Sequence, residues 1–387
     1  MRGMKVYLDY GATSYRKPDQ VFAGMEDFFK SNNTNPGRGG YRMALDAGKM
    51  VFQTRLNLKT LFNVPIRDHV LFTKNVTESL NVVIKGLVRK GDHLLISSVE
   101  HNAVYRVAEH LRKLGIATYD IVPVDSEGQF HLEELKKRIR VNTRLCVINH
   151  ASNVSGHIMP VKEISRLCRE YNVLSVVDGA QTAGSIPVDF QDLSCDAFCF
   201  TGHKHLMGPM GVGGFLLRDD CAREMDTLID GGTGSLSSSP DMPEALPDRF
   251  EAGTLNAVGI AGLKGALEYL LQKDLNSLHQ EEMALHQRLV EGLREIPGIR
   301  FYGDMAGNKL AVVSFNIPGL DSGELAGILD FQYGIMTRSG LHCAPLAHQT
   351  FQSPEGSIRL SLGHYTTKEE IDYTVKTLQD LGAYKQA

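Results

Sequence analysis

Nothing in the 387-residue sequence approaches the roughly 20 consecutive apolar residues of a membrane span. The N-terminal MRGMKVYLDYGATS also lacks the apolar centre of a secretory signal. No membrane partner is expected, and the reading is a cytoplasmic protein. Basic charge is not in excess: 41 Lys and Arg against 45 Asp and Glu leave a net charge of -4, which offers no general attraction to nucleic acid. The six cysteines, Cys146, Cys168, Cys195, Cys199, Cys221 and Cys343, have neither zinc-ribbon spacing nor the density of a disulfide scaffold. Reduced thiols follow, and no metal centre is expected. Cys195 and Cys199, four apart on an apolar run, are read as sharing one strand face and packing there. No internal repeat or low-complexity tail is present.

What is there looks like an ordinary soluble enzyme, with 42% hydrophobic and 22% charged residues. The length suits one large domain and a smaller one. Short apolar runs alternate with amphipathic helices through the first half, and several runs end on a polar residue. The run at 94–98 leads to His101, that at 145–148 to Asn153, that at 173–177 to Asp178, and that at 197–200 to Thr201, His203 and Lys204. Such alternation predicts an α/β fold with a mostly parallel sheet, and ligands gather beyond the carboxyl ends of such strands. The run at 69–73 leads through Asn75, Val76, Thr77 and Glu78 into a helix. That junction reads equally as a phosphate seat on helix N–H groups or as an ordinary cap. Arg38, in the turn-rich SNNTNPGRGG, reads as a solvated charge or as an anion contact. The Gly-, Ser- and Pro-rich stretch 230–247 marks the limit of the large domain, giving residues 15–250 to it and 1–14 with 251–387 to a smaller α+β domain.

A carboxylate and a lysine around one ligand, with an imidazole, an amide and a phosphate seat nearby, are the groups that pyridoxal 5'-phosphate uses. Lys204 would carry its aldehyde as a Schiff base and Asp178 would keep its ring nitrogen protonated. Asn153 or Gln181 would bond the ring hydroxyl, His101 would lie on the ring, and Thr77, Thr201 and His203 would hold the phosphate.

The segments LDYGAT (8–13), SVEHN (98–102), VDGAQ (177–181), GHK (202–204), RFEAGTLN (249–256), RSGLHCA (338–344) and IRLSLGHYTT (358–367) resemble the class V aminotransferase-like, fold-type I pyridoxal phosphate enzymes, and among them the cysteine desulfurases. The resemblance implies a large domain with a seven-stranded sheet. It implies Lys204 as Schiff-base lysine and proton shuttle, His101 as the stacking acid or base, and Val76 and Thr77 at the phosphate. Thr254 would reach the phosphate of a second subunit, hence a homodimer. Arg359 would clamp the substrate carboxylate with Asn153 and Arg338 beside it. Cys343, its thiolate favoured by His342 and Arg338, would attack the sulfur of L-cysteine to leave a persulfide and L-alanine. A sulfur-acceptor protein, with iron–sulfur cluster assembly downstream, is implied too. Cys343 sits in a short loop, as in the group II enzymes. Two departures, one extra residue in KHLMG after the lysine and CAPLAH after the cysteine, suggest a side branch. Selenocysteine lyase, or C–S lyase or aminotransferase chemistry on another amino acid, is the alternative. A metal-dependent hydrolase built on His101, Asp178, His203 and His205, or a non-catalytic scaffold, is the more distant reading.

Overall fold

The computed structural model describes residues 4–37 and 39–384; Arg38, with its two expected readings, lies outside them. The described chain starts with a two-residue strand, β1 (Val6–Tyr7), then the helices α1 (Asp19–Asp27) and α2 (Arg42–Leu61). Seven strands follow: β2 (Val70–Thr73), β3 (Asp92–Ser97), β4 (Ala117–Val122), β5 (Thr143–Asn149), β6 (Leu174–Asp178), β7 (Ala197–Thr201) and β8 (Gly213–Leu217). They form one sheet in the order β2-β8-β7-β6-β5-β3-β4. β8 runs antiparallel to β2 and β7, and the other pairs are parallel. This is the expected α/β class with a mostly parallel seven-stranded sheet.

Both faces of the sheet are covered, which is why its central strands are apolar nearly end to end. In β7, Phe198 and Phe200 enter one apolar layer, while Ala197 and Cys199 enter the other. The helices α3 (Val76–Leu87) and α4 (Asn102–Lys113) pack in the second layer, and α5 (Val161–Glu170) in the first. Cys195 does not share a face with Cys199. It precedes the strand, where alternation does not yet apply, and joins the layer of Phe198. All six cysteines are free; five are buried and Cys343 is exposed.

Beyond the 230–247 loop, α6 (Ala257–Leu270) sets Ile260, Leu263, Leu267 and Leu270 into the first layer of the large sheet. It lies so close to α1 that a Cβ on Gly24 would be 2.7 Å from the Ala261 carbonyl oxygen. The remaining strands and longer helices are α7 (Leu275–Arg294), β9 (Arg300–Phe301), β10 (Val312–Asn316), α8 (Ser322–Tyr333), β11 (Ile335–Met336), β12 (Arg338–Gly340), β13 (Ser357–Ser361) and α9 (Lys368–Tyr384). Four of these strands form an antiparallel sheet ordered β12-β13-β10-β9, and β11 pairs with β1. A separate apolar cluster contains Val6 and Leu8 together with Leu289, Phe315, Leu360 and Leu378, so the N-terminus packs with the end of the chain. The α+β expectation for this half holds. The Thr367–Glu370 capping box is present: Thr367 N–H donates to Glu370 Oε2 at 3.0 Å and Glu370 N–H to Thr367 Oγ1 at 3.3 Å.

Candidate active site

β7, β6, β5 and β3 are consecutive in the sheet. Their carboxyl ends lead to Lys204, Asp178, Asn153 and His101, so the four residues read from four strand ends belong to one edge. Asp178 is buried and accepts from Ala180 N–H at 2.9 Å. Burial raises its pKa, against the pull of that N–H and of Lys204. The Lys204 ammonium has no hydrogen bond or ion pair among the described residues, while its carbonyl accepts from Met207 N–H at 2.8 Å. Burial lowers its pKa to about 8; Asp178 opposes the shift while Arg359 and Arg338 add to it. Two opposite charges held out of water without direct contact leave room for a group between them.

His101 caps a helix. Its Nδ1 accepts the Ala103 N–H at 3.0 Å, which caps α4, so the proton of the neutral ring sits on Nε2. Burial, then Lys204, Arg338 and Arg359, push its pKa down to about 3. At neutral pH it is an uncharged donor.

Arg359 and Arg338 are directly opposed across β13 and β12. Arg359 is 1% exposed, donates to Asp9 Oδ1 at 2.6 Å and to Asn153 O at 3.0 Å, and keeps a buried Nε–H unpartnered. Arg338 points its NH2 at Cys343 Sγ, 3.3 Å away. Two cations facing each other on one strand pair repel unless an anion joins them. The Cys343 loop is pinned beyond the strand ends of the large sheet: Asn102 N–H, at the start of α4, donates to Cys343 O at 2.7 Å, and Asn153 Nδ2, beyond β5, to His342 O at 2.7 Å. His342 and Cys343 are consecutive residues in the left-handed region, with φ of 50° and 57°, a strained arrangement for side-chain-bearing residues. His342 does not supply charge to the thiol as expected. It is buried, its Nε2 pairs with Ser357 Oγ at 3.2 Å, and burial with Arg359 drives its pKa to about 2.

Val76 and Thr77 open α3, with Asn75 Oδ1 accepting the Glu78 N–H at 3.0 Å, so the cap reading is met there. Thr77 shares an open cleft with His101 and Cys343. Thr254 lies elsewhere. It accepts from Asn35 Nδ2 at 3.2 Å and lines a different cavity, beside Thr73, Lys74 and Phe250. His203 and Lys204 are followed by Met207 in the left-handed region, with φ of 56°. His205 faces another cavity, with Glu282 and His364. Among the described residues no three His, Cys, Asp or Glu side chains group to hold a metal. Two residues of the site went unread in the sequence. Asp9 is the partner of Arg359. Glu100 is wholly buried beneath the strand ends, accepting from Ser97 Oγ at 2.5 Å and Asn149 N–H at 2.9 Å, with its pKa raised by burial to about 8. Their position at or beside strand ends was the available signal.

The family described as aminotransferase class-V matches residues 6–374. The chain belongs to the class-V aminotransferase family. It is 34% identical to a probable cysteine desulfurase of Methanothermobacter thermautotrophicus, over 97% of this chain and 94% of the relative. It is also 34% identical to a cysteine desulfurase of Escherichia coli O157:H7, over 96% and 92%. Among solved structures, the apo cysteine desulfurase of Thermococcus onnurineus NA1 superposes with a TM-score of 0.92 at 30% identity, covering 98% of this chain and 95% of that one. The cysteine desulfurase CsdA of Escherichia coli, in an S-sulfonic acid form, gives 0.89 at 26% identity, covering 98% and 95%.

The class-V aminotransferase family is pyridoxal-phosphate-dependent, and the side chains here suit that group. Asn153 Oδ1, Gln181 Oε1, Thr201 Oγ1 and His203 Nδ1 are all buried without a hydrogen-bond partner. Unpartnered buried polar atoms cost free energy unless a ligand satisfies them. The hydroxyl and imidazole can donate to phosphate oxygens, the amide oxygens can accept from a ring hydroxyl, and Asp178 can meet a pyridinium. Gln181 is already oriented by its Nε2, which donates to Gly11 O at 3.1 Å.

Proposed function

We propose that the chain is a cysteine desulfurase, taking L-cysteine to L-alanine and retaining the sulfur as a persulfide on Cys343. The observation that carries this reading is the thiol of Cys343, exposed, touched by Arg338 and fixed by two hydrogen bonds at the edge that holds Lys204 and Asp178. Pyridoxal phosphate, when bound, supplies an electron sink for negative charge developing at the substrate Cα. Lys204, Asp178, Gln181, Asn153, Val76, Thr77, Thr201 and His203 would hold it, with His101 against its ring. Arg359 takes the substrate carboxylate with its planar donors, and Arg338 adds a second cation on the same side. Lys204 Nζ moves the Cα proton, and its lowered pKa suits a group that must both take and give one near neutral pH. Cys343 Sγ, as thiolate, forms an S–S bond with the substrate sulfur while the C–S bond breaks. That electron pair stays with carbon and, with one proton, completes the methyl group of alanine.

In this division of labour residues 15–250 hold the cofactor, while 1–14 and 251–387 bring Asp9, Arg359, Arg338 and Cys343. Thr254, which lines a cavity other than the one shared by Thr77, His101 and Cys343, would serve the phosphate of a second subunit in a homodimer. A cytoplasmic setting is in keeping with six free thiols.

The test is the purified protein, loaded with cofactor, given L-cysteine, L-selenocysteine or L-cystine in parallel. Alanine in step with one added sulfur on the Cys343 peptide is expected, and Cys343→Ala should abolish both with cysteine. Pyruvate without persulfide would instead assign a lyase, and a turnover confined to selenocysteine a selenocysteine lyase.

A further inference from the structure

α3 and α4 flank an open cleft of about 500 Å³ at the active-site edge, with Thr77, His101 and Cys343 on its wall. The helical repeat puts Asn81 and Lys85 on one stripe of α3, and Arg106 and His110 on one stripe of α4. Among the described residues no carboxylate lines the cleft. Among the described residues neither Lys85 nor Arg106 is in an ion pair, although most surface arginines of this chain are paired with Asp or Glu. Two unneutralised cations in a concave site make a field for an anion, and the size is that of a small-molecule pocket rather than a protein footprint.

We propose that this cleft binds a small anionic thiol that collects the sulfur from Cys343. The proposal rests on the reading of Cys343 as a persulfide carrier. Its carboxylate or sulfonate groups would lie between Lys85 and Arg106, with its own sulfur directed along the cleft to Cys343. The thiolate attacks the outer sulfur of the persulfide, a new S–S bond forms on the acceptor, and the S–S bond to Cys343 breaks. The electron pair leaves with Cys343 Sγ, which becomes the thiolate needed for the next cysteine, and no oxidant or reductant is consumed.

The experiment uses cofactor-loaded protein pulsed with L-cysteine, then mixed with mercaptosuccinate or with neutral 2-mercaptoethanol, following loss of sulfur from the Cys343 peptide by mass spectrometry. Mercaptosuccinate should saturate transfer at a concentration about tenfold or more lower than 2-mercaptoethanol, and salt near 1 M, where screening acts over about 3 Å, should remove the difference. The double variant Lys85→Glu, Arg106→Glu should lose the preference, whereas Lys85→Arg, Arg106→Lys should keep it. Alanine release in the first turnover should be unchanged in both, which also shows that they are folded. Equal saturation by the two thiols in the parent protein, or a preference untouched by salt and charge reversal, overturns the proposal. Absence of alanine and persulfide from the parent protein overturns the reading beneath it as well.

Discussion

His101 has a structural task beside the role proposed for it at the cofactor. As an N-cap it fixes the start of α4, and the same hydrogen bond fixes its tautomer. Because burial and four nearby cations, Lys204, Arg338, Arg359 and Arg106, keep it neutral, the sign of its pH effect is determinate. Its folded pKa of about 3 lies below the ordinary histidine value. Between about pH 5 and 7, where a free histidine would titrate, His101 does not change charge. We expect His101→Gln to lower turnover without removing any limb of the kcat/KM profile in that range; a limb that disappears with the imidazole would contradict this. Lys204, Asp178, Asn153 and His101 were legible because each follows an apolar run, a pattern in the chain itself. Asp9 and Glu100 were not. Asp9 acquires its meaning from Arg359, 350 positions away, and Glu100 from being sealed under a sheet whose strand order no local pattern states. The expected help of His342 to the thiol failed for the same reason, since adjacency in sequence does not reveal that its ring turns inward.

At the scale of elements, the buried strands were read almost to the residue because covered strands need unbroken apolar runs. β4 was not read. It lies at the sheet edge, and ATYDIV carries a threonine that is exposed and an aspartate that pairs with Arg140, so its pattern is that of a loop as much as of a strand. The segment RFEAGTLN was legible as a family signature, yet the structure gives its glutamate a structural task. Glu251 accepts from Arg55 with both oxygens and from Phe72 N–H at 2.6 Å, and both charged partners are buried. It thereby ties the loop to α2 and β2. Removing one member of such a pair leaves a buried charge uncompensated, so Glu251→Gln should cost about 3–5 kcal/mol in unfolding by urea. Loss of the α3 cap in Asn75→Ala should cost about 1 kcal/mol in the same assay. Equal and small effects would mean that the Arg55 pair contributes no more than an ordinary cap.

The two apolar bodies meet along a seam where Lys309 is buried opposite His157. Its Nζ donates to Asp304 O at 3.0 Å, and His157, His286 and Asp304 are the titratable groups around it. Burial lowers the Lys309 pKa to about 7, with Asp304 acting the other way. From there up to the ordinary lysine value of about 10.4 the unfolded chain holds a proton that the folded chain does not, so this group makes stability rise with pH across that window. Lys309→Met should flatten the rise and leave the protein more stable than the parent at pH 7, measured by urea unfolding at several pH values. A variant that is less stable at pH 7 would show that the ammonium is needed at the seam.

If Cys343 carries the sulfur as proposed, the two hydrogen bonds from Asn153 and Asn102 that fasten residues 342 and 343 also limit how far it travels. A long tethered arm could carry its cargo out to a waiting recipient. Under the proposed reaction the hook is bolted to the wall, and collection takes place at the enzyme's own doorway, where Cys343 is exposed.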